Sequence, residues 1–232
     1  MTNAGRVAAV VLDLDGTLVE TAPDLGAALN HVLGAEGRPP LAVAEVRPLV
    51  GDGARKLIER GLEASGPRPT AAEIDARLPA FLDYYADHVA DRSVPYPGVP
   101  ETLALLRARG LRLGVCTNKP YRLTRLLLRA LELEDCFEAV LGGDSLAVRK
   151  PDGGHLLGVL EALGSAAHEA VMVGDSLNDV ACARAAGVAV IVVTYGYTPV
   201  PPERLGADLT IARFAELPAA LARLALARPG PA

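Results

Sequence analysis

Apolar and polar positions along this chain follow two rhythms. The first stretch, Val7 to Leu12, is an apolar run rich in β-branched residues, ending in Asp13-Leu14-Asp15-Gly16-Thr17. Such a run, stopped by glycine, reads as a buried strand. Side chains two apart on a strand point the same way, so Asp13 and Asp15 are expected to crowd together at its C-terminal end, the end where ligands bind in open α/β sheets. Two crowded carboxylates repel, and a cation between them or a proton on one relieves the repulsion. An ordinary Asp-Gly turn after a strand is the plainer reading of the same letters.

After a short connector, Val19 to Pro23, the period becomes helical. Leu25, Ala28, Leu29, Val32 and Leu33 share a face, and Leu57, Ile58 and Leu62 repeat the pattern after Gly51-Asp52-Gly53. A third helix is expected from Thr70, with Glu73 completing a capping box, to about Ala90, where Pro79 should kink or split it. Residues from about 22 to 91 carry no strand signal, and Pro95 to Pro100 reads as a stiff linker. From there strands at 111–116, 139–141, 170–173 and 188–193 alternate with helices at 101–109, 121–131, 155–163 and 177–186, before a short strand at 209–211 and a helix at 215–226. Repeated strand–helix units predict a parallel sheet with helices on both faces. The helical block is then an insertion after the first strand. The expected division is an α/β core from 1–20 and 94–232 and a helical cap from 21–93.

Length and composition narrow the function. At 232 residues, 50% hydrophobic and 22% charged, the chain suits one large domain with an insertion. A net charge of -5 gives no electrostatic footprint for nucleic acid or an anionic membrane, though a small anion needs only a local positive cluster. Lysine is rare: Lys56, Lys119 and Lys150 are the only ones, the other basic residues being arginine. Cys116, Cys136 and Cys182 have neither disulfide nor zinc spacing, so a reducing cytoplasm is expected. With Arg6 as its one positive residue, the N-terminus does not read as a signal peptide, and no apolar run reaches the roughly 18 residues of a membrane span.

Candidate chemistry collects where strands give way to loops: Asp13 and Asp15, Thr117-Asn118, Lys150 and Asp175, with Asp179 one turn into the next helix. A parallel sheet puts these ends on one edge. Carboxylate ligands suit Mg²⁺, and a hydroxyl with a lysine suits a phosphoryl group. Singly, Thr117 and Asp175 read as helix caps and Lys150 as a solvated side chain; together on one edge they read as a site. There is no P-loop and no dinucleotide fingerprint. Gly174-Asp175-Ser176-Leu177 spells a serine esterase signature, but no histidine follows Ser176 to serve as base.

Asp13-Leu14-Asp15-Gly16-Thr17, Thr117-Asn118, Lys150-Pro151 and Gly174-Asp175-Ser176-x-x-Asp179, in that order, resemble the four motifs of the haloacid dehalogenase superfamily of phosphatases. Gly51-Asp52-Gly53-Ala54 and Thr194-Tyr195-Gly196-Tyr197 are similar to stretches of its phosphoglycolate phosphatases. The resemblance implies an α/β fold with a Rossmann-like parallel-sheet core, helices on both faces and an inserted small all-helical cap. It also implies Asp13 as nucleophile and Asp15 as acid–base. Gly16, Thr117, Asn118 and Lys150 would hold the phosphoryl oxygens. Asp13, the Asp15 carbonyl and Asp175 would bind Mg²⁺, supported by Asp179. Dehalogenases lack the second aspartate, so Asp15 points to phosphate esters.

The expected partner is a small phosphorylated metabolite, foremost 2-phosphoglycolate. Alternatives are a sugar phosphate, pyrophosphate, a sugar phosphomutase reaction, or a non-catalytic switch phosphorylated on Asp13, in a monomer or homodimer. Substrate choice is expected from Gly51, Gly53 and Ala54, whose backbone N–H groups open a helix, with Arg55 and Lys56 adding charge; a plain helix start with solvated bases is the alternative. Asp52 stands where the subfamily often has asparagine, and facing the site it would repel an anion.

Overall fold

Strand β1 (Ala9–Leu12) is buried at every position, as an apolar run without alternation requires. In this computed structural model, which describes residues 7–227, it lies near the middle of a six-stranded sheet. The other strands are β4 (Arg112–Cys116), β5 (Ala139–Leu141), β6 (Ala170–Gly174), β7 (Ala189–Val193) and β8 (Leu209–Ile211). The order is β5-β4-β1-β6-β7-β8 and every pairing is parallel. Residues 1–6, Arg6 among them, and 228–232 lie outside the described residues.

The two-residue period of β1 sorts the core into two layers. Val10 and Leu12 join Leu103 of α5 (Val99–Ala108), Leu127 of α6 (Tyr121–Ala130) and Leu221 of α9 (Leu217–Ala227). Ala9 and Val11 join Leu156 and Val159 of α7 (Gly153–Leu163) and Val180 and Ala183 of α8 (Leu177–Ala185). Each fully buried aliphatic side chain contributes roughly 1.5–3 kcal/mol, so this double-sided burial is what holds the strand ends in place.

Between β1 and β4 the chain forms α1 (Ala22–Ala35), short α2 (Val43–Val46), α3 (Ala54–Ser65) and α4 (Ala71–Asp87), with α1, α3 and α4 packed on one another. Gly61 lets α3 approach α1, since a Cβ there would lie 2.5 Å from Leu29 Cδ1. The Thr70–Glu73 capping box forms, with Thr70 N–H donating to Glu73 Oε2 at 2.7 Å. Pro79 does not split the helix; α4 runs through it. Among the described residues no helix is long and apolar enough to cross a membrane.

Two connections differ from the sequence expectation. Val19–Glu20 and Val94–Pro95, read as connector and linker, pair antiparallel as strands β2 and β3. Two-residue strands are too short to show a period, which is why the pattern hid them. Helix α5 begins at Val99, with Pro100 in its first turn, where a missing N–H costs nothing.

Asp24 ties this ribbon to the helices. Fully buried in the first turn of α1, it accepts from the Arg92 N–H (2.9 Å), the Ser93 N–H (2.7 Å) and the Ser93 hydroxyl (2.7 Å). Replacing it by alanine orphans these donors, each worth roughly 1–3 kcal/mol when buried. Asp24→Ala should therefore cost about 3 kcal/mol in urea unfolding and Asp24→Asn about 1; equal midpoints for both variants and the parent would refute this role.

Candidate active site

The turn after β1 decides where the two carboxylates go. Asp13 stays in line with the sheet through its N–H bond to Val173 O at 2.9 Å. The chain then folds back on itself, the Leu14 carbonyl accepting from the N–H groups of Thr17, Leu18 and Val19. Gly16 sits at φ +82°, and a Cβ there would lie 2.7 Å from Asp175 Oδ2, so both conformation and space demand glycine. Asp15 is thus beyond the strand, yet it lines the same cavity as Asp13 and its charge is felt there. Each has its own lysine: Lys150 Nζ is 2.7 Å from Asp13 Oδ1, and Lys119 Nζ is 2.9 Å from Asp15 Oδ1.

The carboxylates that do converge are Asp13, Asp175 and Asp179, one oxygen from each lying within 4.8 Å of the others. Asp175 follows β6 and Asp179 lies in the first turn of α8. Gly174 permits the approach, because a Cβ there would be 2.2 Å from Asp179 Cγ. Both oxygens of Asp179 are engaged: Oδ1 with Lys150 Nζ at 2.7 Å, Oδ2 with the N–H groups of Asp175 and Ser176 and the Ser176 hydroxyl. Asp175 accepts from Thr17 Oγ1 at 3.3 Å and from the Tyr197 N–H at 2.7 Å.

Three buried carboxylates face one ammonium, and the imbalance shows at Asp13 and Asp175. Burial pushes Asp13 up to about 7 despite Lys150. Burial, with Asp179 and Asp13 beside it, holds Asp175 well above the usual carboxylate range. Burial opposes the charge of Lys150, but Asp13 and Asp179 outweigh it and keep the ammonium protonated. An excess of negative charge on oxygen-only donors fits a hard divalent cation.

His155 holds the backbone of Lys150. The Lys150 N–H donates to His155 Nδ1 at 3.3 Å, which leaves the ring proton on Nε2, bonded to Gly142 O at 3.1 Å. Burial and the nearby Lys150 charge lower the imidazole to about 4.

Above these groups lies a small cavity between the sheet edge and the helical insert. Asp13, Asp15, Thr117, Asn118, Gly51, Gly53 and Ala54 line it, as the sequence expects of a site. Asn118 Nδ2 donates to both Gly51 O and Lys150 O at 3.0 Å, joining the insert to the lysine loop. Arg55 and Lys56 are not among the lining residues. They pair with Asp75 and Glu59 at 2.7 and 2.8 Å on the outside of the insert.

Asp52 does not face this cavity either. It lines an adjoining cleft that also reaches Asp15 and Asp175, where it is paired with Arg60 and accepts from Asn178 Nδ2 at 2.7 Å. Burial opposes its ionisation, but those two partners outweigh it and hold the carboxyl below its ordinary value. The repulsion expected from Asp52 is therefore compensated.

Sequence reasoning missed Lys119, Phe81 and Tyr85, all of which line the cavity. The rarity of lysine was the available signal for the first; the two aromatics carry only a helical core pattern. It also missed that the Tyr197 hydroxyl accepts from the N–H groups of Thr21 and Ala22 at 2.7 and 3.0 Å, anchoring the start of α1 beside Asp175.

The sequence model of the haloacid dehalogenase-like hydrolases matches residues 7–187, which carry every one of these groups except Tyr197. The chain belongs to that family. Among its relatives, a phosphoglycolate phosphatase of Caulobacter vibrioides is 47% identical over 97% of this chain and 94% of its own. One of Rhodospirillum rubrum is 49% identical over 90% and 88%. A solved structure described as a predicted phosphoglycolate phosphatase from Haemophilus somnus superposes with a TM-score of 0.87 at 32% identity, covering 95% and 99% of the two chains. CbbY of Rhodobacter sphaeroides, solved in complex with phosphate, gives 0.78 at 29% identity over 91% and 96%.

The imidazole of this hydrolase makes a pH prediction. Between about pH 6.5 and 4 the unfolded chain takes up a proton on His155 that the folded chain does not. Stability should therefore fall on acidification through that window, by up to about 1.4 kcal/mol per pH unit, with no contribution above it. His155→Gln should flatten that slope in urea titrations; an unchanged slope would show that the ring does not resist protonation.

Proposed function

We propose that this hydrolase is a Mg²⁺-dependent phosphomonoesterase of a small phosphorylated metabolite, 2-phosphoglycolate foremost, working through a phosphoaspartyl intermediate on Asp13. The observation that carries the proposal is that the two front carboxylates line one cavity, yet each is bound to a different lysine. One can attack while the other moves a proton.

In this reading Asp13 attacks phosphorus and the bond to the leaving oxygen breaks, with Asp15 giving that oxygen a proton. Water then attacks the phosphoaspartate, passes a proton to Asp15 and frees Asp13 and inorganic phosphate. Thr117, the backbone around Asn118 and Gly16, and the Lys150 ammonium bind and orient the phosphoryl oxygens. Asp13, the Asp15 carbonyl and Asp175 would hold the Mg²⁺, with Asp179 behind them because both its oxygens are already taken. When bound, the ion would supply positive charge against the phosphoryl oxygens. The helical insert closes over the site and keeps other water out.

The relatives named phosphoglycolate phosphatase support the substrate. A sugar bisphosphate is the second reading, favoured by the solved CbbY complex with xylulose-(1,5)-bisphosphate, 27% identical with a TM-score of 0.75. We take residues 21–93 as the cap and 1–20 with 94–232 as the core. The three free cysteines suit a reducing compartment, and we assign the enzyme to the cytoplasm as a monomer or homodimer.

Phosphate release from 2-phosphoglycolate, several sugar phosphates and pyrophosphate, with Mg²⁺ and with EDTA, tests this. Release should require Mg²⁺ and favour 2-phosphoglycolate; a preference for sugar phosphates would keep the chemistry and overturn the substrate. Asp13→Asn should abolish turnover, and Asp15→Asn should cut it about 10²–10⁴-fold. An Asp15→Asn enzyme turning over at the parent rate would remove Asp15 from its role.

A further inference from the structure

The leaving-group side of the cavity has an unusual charge content. Its walls from the insert and α6 are apolar, with Leu25, Leu57, Phe81 and Leu123 among them. Apart from Asp13 and Asp15, the one charged side chain lining it, among the described residues, is Lys119. That lysine is 5% exposed, and its ammonium sits 4.4 Å from the centroid of the Tyr85 ring. The Tyr85 hydroxyl is fully buried, interacts with that ammonium, and has no acceptor for its own proton. Lys150, the other buried lysine, pairs with Asp13 and Asp179 on the phosphoryl side.

We propose that Lys119 and the Tyr85 hydroxyl form the subsite for a carboxylate carried by the leaving group, and so select a phosphorylated hydroxy acid over a phosphorylated alcohol or sugar. This inference rests on the phosphatase reading above and names the residues that set its substrate class. An ammonium carries three donors, and Asp15 engages Lys119 with oxygens at 2.9 and 3.3 Å. The lysine can therefore serve a second anion without leaving the first. The Tyr85 hydroxyl, whose proton has no acceptor, supplies a further donor on the same wall. A carboxylate there is paired and hydrogen-bonded, as a buried charge must be. The several hydroxyls of a sugar would instead meet leucine and phenylalanine, and a buried polar group without a partner is rejected.

The deciding comparison is 2-phosphoglycolate against 2-hydroxyethyl phosphate, which has the same length and no carboxylate, each with saturating Mg²⁺. The wild type should favour 2-phosphoglycolate by about 100-fold in kcat/KM, equivalent to about 2.7 kcal/mol. Lys119→Met should erase most of that preference, chiefly through KM for 2-phosphoglycolate. Tyr85→Phe, which keeps the ring under the ammonium, should reduce the preference about 5-fold and serves if Lys119→Met does not fold. A wild type that hydrolyses both esters equally well would overturn the carboxylate subsite and leave the phosphatase reading standing. So would a Lys119→Met enzyme that loses both activities in the same proportion, since Lys119 would then only hold Asp15. Hydrolysis of neither ester, with release from sugar phosphates, would overturn the carboxylate subsite and keep the phosphatase reading; release from no phosphate ester at all would mean that the phosphatase reading itself fails.

Discussion

The buried ammonium of Lys150 is the constraint from which the rest of the site follows. It lies 2.7 Å from both Asp13 and Asp179, which come from opposite ends of the chain, and without it three carboxylates would share a dry pocket. Leaving any one of these charges unpaired is costly, because burial removes the water that would solvate it. The surrounding structure fixes that ammonium closely. His155 holds the backbone of Lys150, Asn118 holds its carbonyl, and Gly174 leaves room for Asp179. The sheet supplies the frame, but the charges dictate which residues may stand at its edge.

The same groups join the two parts of the molecule. Asn118 bonds at once to the lysine loop and to Gly51 of the insert, and Asn178 reaches Asp52. On the opposite side the ribbon of β2 and β3, Asp24 and the Tyr197 hydroxyl hold the start of α1. Two seams of polar contacts, not an apolar interface alone, set how the insert sits over Asp13 and Asp15. The pairing of Asp52 with Arg60 and Asn178 belongs to this arrangement.

Much of this was legible in the sequence because it rests on periods and on residue types placed at strand ends. Strand β1, the alternation after Pro100 and the carboxylates at 13, 175 and 179 all follow from local pattern. What was hidden depends on tertiary direction. The back-folded turn at Gly16 sets Asp15 beyond the strand and against Lys119, and nothing in a two-residue spacing reveals that. Arg55 and Lys56 have the right sequence position but point to Asp75 and Glu59. Tyr85 looked like core because it is core; that its edge also borders a cavity is a matter of what packs opposite it.

The scarcity of lysine has a chemical consequence outside catalysis. Of the three, Lys119 and Lys150 keep side chains only 3% and 1% exposed, whereas that of Lys56 is 43% exposed. Acylating agents need a free, reachable amine, and burial together with carboxylate pairing denies them both of the inner lysines. Toward acetylation, carbamylation or amine-directed crosslinking, the described part of this protein behaves as though it had a single lysine, on the outer face of the insert, where a modification would leave the reacting centre untouched.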